Sequence, residues 1–283
     1  MAICGTTLLA RPGCLAAEKP AGASLFSGMG LSGSIDKTAV YKSMGADFIT
    51  ESVGAFLMPD KDDAHFAKSL EKLKSSSLPI LACNGFIRPA HLRCVGAEAN
   101  HNEIMVWSEV AFRRLKQAGG KFIVFGSSGA RAIQDGWSRA KADEQFVALL
   151  KKMGPAAAAH DVTVVVEQLQ ESECNYINHI AEGAALIRQA AHPNIRLLAD
   201  LYHMAKMGDT PADLKAAMDV VVHIEIAEKE NRTYPGVKGD DFRPYLRVLK
   251  DAGYKGAVSI EGRGTDDQLQ PAFEEIRKQS LSL

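Results

Sequence analysis

Four short apolar runs in the second half of the chain end in residues that bind cations or move protons. VVVEQL leads into Glu167, IRLLAD into Asp200, VVVHIEIAE into His223, Glu225 and Glu228, and AVSIEGR into Glu261. In a strand buried on both faces, a carboxylate is costly unless it is paired, hydrogen-bonded or bound to metal. One such acid reads as a carboxylate emerging into solvent, whereas four at matching strand ends describe a site. Converging carboxylates suit a divalent cation, and a carboxylate beside a polarised carbonyl can take up and return a proton. Two histidines join by position. His203 lies three residues past Asp200, in the loop that leaves that strand, and strand period two puts His223 on the same face as Glu225 and Ala227. His65, His91, His101, His160, His179 and His192 have no such placement and read as structural.

The elements that must position these groups alternate in type. Strand-like runs at 24–30, 47–53, 79–86, 121–127, 163–169, 195–201, 220–228 and 257–263 are separated by amphipathic stretches near 35–45, 62–75, 98–118, 138–159, 176–191, 210–218, 240–252 and 266–279. That alternation predicts βα units and a parallel sheet. Asp36 and Thr210 read as helix N-caps, the second with Pro211 at the first helical position, and Gly45, Gly119 and Gly253 stand where helices should stop. Eight strands and eight helices in about 250 residues have the size of a TIM barrel, in which all strand carboxyl ends face one rim. A doubly wound open sheet would carry a glycine-rich dinucleotide turn after its first strand, and GMGLSG at 28–33 lacks the G-x-G-x-x-G spacing. The expected fold is therefore α/β, a single (β/α)8 TIM barrel over 24–283.

Composition sets the outer bounds. A formal net charge of −1 argues against a surface built to neutralise phosphates, so nucleic acid is not an expected partner. Cys4, Cys14, Cys83, Cys94 and Cys174 are odd in number and form no C-x-x-C pair, which indicates neither a disulfide framework nor a cysteine zinc site. No apolar run is long enough to span a membrane. Residues 1–23 read either as a tail or as the remnant of an export signal, because AICGTTLLA is apolar but no basic leader precedes Ala2. A leader upstream of Met1 would place the protein outside the cytoplasm, in the periplasm, and without one it is expected in the cytoplasm. A homo-oligomer is compatible with all of this.

EQLQESE at 167–173, DLYHM at 200–204, HIEIAEKENRTYPG at 223–236 and VSIEGR at 258–263 resemble, in order and spacing, the xylose-isomerase-like TIM-barrel superfamily. Within it the similarity is to sugar epimerases and isomerases of the tagatose 3-epimerase and hydroxypyruvate isomerase type. CNGFIRP at 83–89 and FGSSGAR at 125–131 look like the third and fourth strand ends of that family. The resemblance implies that Glu167, Asp200 and Glu261 are metal ligands, and that the two glutamates are also the acid/base pair. It further implies that His203, Glu173 and Arg232 hold substrate hydroxyls and carbonyl. Arg88 and Arg131 join Arg232 as arginines that could meet a phosphate or a hydroxyl.

One position departs from the family pattern. Strand seven usually reads H-x-H, its second histidine being the fourth ligand, and here that position is Glu225. An all-oxygen set of Glu167, Asp200, Glu225 and Glu261 favours Mn²⁺ or Mg²⁺ over Co²⁺ or Zn²⁺, since hard carboxylates suit hard ions. Two other arrangements are open: His223 as the ligand with Glu225 behind it, or a site that has lost its metal. The expected activity is a metal-dependent epimerisation or isomerisation of a small keto-sugar through an enediolate. A lyase or dehydratase acting on a keto-sugar or keto-glycoside needs the same residues. An abasic-site endonuclease and a non-catalytic sugar-binding barrel are the more distant alternatives.

Overall fold

In the computed structural model, which describes residues 24–283, eight parallel strands close in chain order. They are β1 (Met29–Ser32), β2 (Phe48–Ser52), β3 (Ile80–Asn84), β4 (Phe122–Phe125), β5 (Thr163–Glu167), β6 (Ile195–Asp200), β7 (Val221–Ile226) and β8 (Val258–Ile260). Met29, Gly30 and Leu31 pair with Val258, Ser259 and Ile260, and this β1–β8 ladder seals the barrel. The helices are α1 (Thr38–Ser43), α2 (Asp63–Lys74), α3 (His101–Gln117), α4 (Ser128–Arg131), α5 (Arg139–Ala159), α6 (Ile180–Ala190), α7 (Leu201–Met207), α8 (Pro211–Ala217), α9 (Arg243–Asp251) and α10 (Leu269–Leu281). The fold is a single (β/α)8 TIM barrel, as the alternation of elements predicts.

Side-chain alternation divides the core in two. Val164, Val166, Leu197, Ile224 and Ile260 face outward and pack in the large cluster shared with the helices. Ala82, Phe122, Val124, Val165 and Leu198 form a separate cluster that fills the barrel interior. Gly30 makes room in the wall, because a Cβ there would lie 2.4 Å from the Phe48 ring. The interior is thus closed below by apolar side chains. Two residues further along β6 and β7 the same inward direction presents Asp200 and Glu225, which are register partners.

Local chemistry sets the boundaries that matter for the site. Thr210 caps α8 through a reciprocal box with Asp213, and Pro211 follows, as the sequence predicts. Gly45, Gly119 and Gly253 adopt φ of 103°, 74° and 68° at helix ends. Three differences from the sequence reading bear on the site and its approach. The first strand begins at Met29 rather than residue 24, since residues 24–28 only lead into the barrel wall. Asp36 lies inside a short 3₁₀ turn capped by Ser34 and bonds Lys72 instead of capping a helix. The segment after β6 is helix α7, not a loop, because Asp200 Oδ1 accepts the N–H groups of Tyr202 and His203 and nucleates the turn. Residues 1–23, with the tail or signal reading and Cys4 and Cys14, lie outside the described residues. Cys83, Cys94 and Cys174 are buried free thiols. Among the described residues no helix is long and apolar enough to cross a membrane.

Candidate active site

At the carboxyl rim, one oxygen from each of Glu167, Asp200, Glu225 and Glu261 lies within 4.8 Å of the others. Each carboxylate is placed by its strand end: Glu167 closes β5, Asp200 closes β6, Glu225 is the penultimate residue of β7 and Glu261 follows β8. Gly126 gives Glu167 its space, since a Cβ there would lie 2.4 Å from Oε2. Both Glu225 oxygens are buried and accept no hydrogen bond among the described residues. Burial, and then the charges of Glu261, Glu167 and Asp200, push its carboxyl well above the ordinary range. An orphaned buried carboxylate among three others is the electrostatic signature of a missing positive charge. The donor set fits a hard divalent ion.

Glu261 is the accessible member, its side chain 24% exposed. Asn84 Nδ2, from the end of β3, donates to its Oε1 at 2.9 Å. Burial by the surrounding walls and the nearby Glu167 charge push its pKa up to about 6, against the pull of Arg232. Arg232 reaches in from the β7–α9 loop. Its Nη2 donates to Asp200 Oδ2 and to Glu261 Oε2, and its Nε to the Glu261 carbonyl. Asn231 and Arg232 both adopt left-handed backbone, φ 59° and 55°, a costly pair that turns the side chain inward. Glu228 sustains that loop. Its carboxylate accepts the N–H groups of Gly236, Lys238, Gly239 and Asp240 and the Thr233 hydroxyl, so it serves the backbone and not the carboxylate cluster.

His203 is fully buried on α7. Its Nδ1 accepts the backbone N–H of Gln170 at 3.1 Å, so the proton of the neutral ring sits on Nε2. Nε2 lies 3.5 Å from both Glu167 Oε1 and Asp200 Oδ2 and 3.9 Å from Glu173 Oε2. Burial lowers its proton affinity, but Asp200 and Glu167 outweigh that and leave it raised. A nitrogen that carries the proton is a donor to oxygen, not a metal ligand. Tyr202 beside it lies under the Arg232 guanidinium, 4.7 Å from ring centroid to Cζ.

Two expected participants lie elsewhere. His223 points into the barrel one layer below Glu225, its ring 5.3 Å from that of Phe122 and both nitrogens without a hydrogen-bond partner among the described residues. Burial, helped by Lys121, lowers its pKa to about 4, so it is neutral. Period two places it on the inward face, but the same period puts it two residues short of the rim. Arg131 is fully buried in α4, and its Nη1 donates to the Phe125 carbonyl behind β4. Arg88 is exposed beside Gly85 at the rim. Asn84, at the end of strand three, and Gln168, Gln170 and Tyr202 are assigned no role by the sequence alone. Gln168 donates to the Asp200 carbonyl, and the other three touch Glu261, Glu173 and Arg232. Their signal is position at a strand end, which neutral residue types do not advertise.

Fold and site together define an α/β barrel with a carboxylate cluster and one arginine at its carboxyl rim. The chain belongs to the family described as xylose isomerase-like TIM barrel, whose match covers residues 39–280. Inosose isomerase of Halalkalibacterium halodurans is 28% identical over 127 residues, 41% of this chain and 44% of that protein. The matched segments span about half the length of such relatives. In fold, the chain superposes on 3-keto-D-glucoside 4-epimerase of E. coli with a TM-score of 0.75 at 19% identity, covering 88% of this chain and 98% of the other. D-psicose 3-epimerase of Clostridium cellulolyticum superposes with a TM-score of 0.72 at 16% identity, covering 90% and 96%.

Proposed function

We propose that this protein is a divalent-metal-dependent epimerase or isomerase of a small keto-sugar. The observation that carries the reading is Glu225, whose two buried oxygens accept no hydrogen bond among the described residues and complete a four-carboxylate cluster. The relatives named as isomerases and the fold neighbours named as epimerases support the reaction class. An all-oxygen set favours Mn²⁺ or Mg²⁺.

Glu167, Asp200, Glu225 and Glu261 would hold the ion, which when bound supplies Lewis-acid polarisation of the substrate carbonyl. The protein's own groups then divide the work. Glu261, which has an exposed edge at the rim, takes the proton next to that carbonyl. Glu167, across the barrel on β5, returns a proton to the other face. Protonation of the same carbon from that face gives epimerisation, and protonation of the neighbouring carbon gives isomerisation. His203 Nε2–H, Glu173 and Arg232 would bind substrate oxygens and fix which carbon faces the bases. The test is solvent deuterium incorporation into a panel of free ketoses, keto-glycosides and sugar phosphates, with Mn²⁺, Mg²⁺, Co²⁺ and Zn²⁺ in turn. Wash-in without net elimination supports the reading. An unsaturated product would instead make the enzyme a lyase, and no exchange with any substrate or ion would sink the proposal.

A further inference from the structure

Gln170 directs its backbone N–H and both hydrogens of its side-chain amide at residues that face the proposed sugar site. Its backbone N–H donates to His203 Nδ1. Its side-chain Nε2 donates one hydrogen to Glu173 Oε1 and the other to Tyr202 Oη, each at 2.8 Å. The carboxylate of Glu173 can only accept, which fixes the amide with its nitrogen toward these partners. Tyr202 in turn carries Arg232 on its ring face. Gln170 and Tyr202 are 9% and 7% exposed, so water cannot easily replace this amide.

The distances that remain open are as informative as those that are closed. Glu173 Oε1 stops 3.8 Å from Arg232 Nη1, and its Oε2 stops 3.9 Å from His203 Nε2. Both gaps are about 1 Å beyond hydrogen-bond length. An ionised carboxylate between a guanidinium and an imidazole N–H is attracted to both, and at 37% exposure it has room to move. Among the described residues, the Gln170 amide makes the one hydrogen bond to that carboxylate.

We infer that Gln170 is a positioning residue that tethers Glu173 away from Arg232 and His203, keeping open the space that substrate hydroxyls enter. The inference rests on the reading of that space as the sugar site. Gln170 donates to none of the four clustered carboxylates, so the tether acts on substrate placement and not on the ion.

Gln170→Met keeps the length of the side chain and removes the amide; Gln170→Leu is the second variant should the first fold poorly. In a crystal structure of the variant, Glu173 should close to hydrogen-bond distance of Arg232 or His203. In full-length protein loaded with Mn²⁺, kcat/KM for the keto-sugar found by deuterium wash-in should fall roughly tenfold or more, mainly through KM, with Mn²⁺ affinity by calorimetry unchanged. In a Glu173→Gln background, which carries no charge to collapse, Gln170→Met should cost less than about twofold, whereas a merely structural role predicts equal losses in both backgrounds. If the Glu173 to Arg232 distance stays at 3.8 Å in the variant crystals, or the two substitutions multiply independently, the tether is wrong. If no sugar in the panel is turned over, the functional reading fails while the crystal distance still decides the role of Gln170.

Discussion

Arg232 Nη2 lies 2.8 Å from Asp200 Oδ2 and also bonds Glu261, so one guanidinium nitrogen bridges two of the four clustered carboxylates. It is the only cationic side chain ion-paired to that cluster among the described residues apart from His203. At an effective dielectric of about 20, a unit charge at 4 Å interacts by about 4 kcal/mol, and twice that with a dication. Arg232→Met should therefore tighten Mn²⁺ binding at least tenfold in calorimetry while lowering the melting temperature of the ion-free protein. Weaker Mn²⁺ binding would show that the arginine supports the ion site instead of opposing it.

Glu167→Gln and Asp200→Asn each remove one donor from the cluster of four. Metal analysis of protein prepared without chelator should show stoichiometric divalent ion in the wild type and a clear loss in both variants. Unchanged stoichiometry in both would count decisively against the site.

His223 occupies a different layer from Glu225 and stacks near Phe122, its nitrogens without a hydrogen-bond partner among the described residues. His223→Leu should leave ion stoichiometry unchanged, and thermal stability should hold or rise because two unsatisfied buried polar atoms disappear. Glu225→Gln should weaken ion binding strongly. The opposite ranking would make His223 the strand-seven ligand.

Glu261→Gln keeps the size and much of the hydrogen bonding while removing the base. Deuterium exchange should fall by at least about 10²-fold, and by a similar factor in Glu167→Gln. Full exchange and full turnover in Glu261→Gln would assign the proton transfer to another group, with His203 next in line.

The ion-free protein has a pH signature. A carboxyl whose folded pKa is raised binds protons more tightly in the native state, so it costs stability as pH rises above its ordinary value. Glu225, raised well above that range, works in this direction through neutral pH, whereas Glu261, at about 6, does so mainly below pH 6. The depressed His223, at about 4, works the other way, but only below its ordinary pKa of 6.5. Between pH 6.5 and 8 the melting temperature in chelator should fall as pH rises. The slope should flatten in Glu225→Gln, and added Mn²⁺ should stabilise the wild type more at the upper end. A rising melting temperature over that range would contradict this charge assignment.

Much of this protein is legible along the chain, because strand and helix periodicities are local. The apolar runs that end at Glu167, Asp200 and Glu261 appear as strands ending at or one residue before those acids, since a buried parallel strand needs an uninterrupted apolar run and ends where charge begins. Thr210, Pro211 and Gly253 mark helix ends for equally local reasons. Closure of the barrel decided the rest. Only its register shows that Glu225 pairs beside Asp200 at the rim while His223 sits a layer below, and only the fold brings Asn84 within 2.9 Å of a glutamate 177 residues away. His203 shows the same division. Its place after Asp200 can be read from the chain, but the proton on its Nε2 is set by a backbone N–H from a loop 33 residues earlier. A sequence specifies which side chains can do chemistry, whereas depth, charge balance and tautomer depend on neighbours that meet only when the sheet closes.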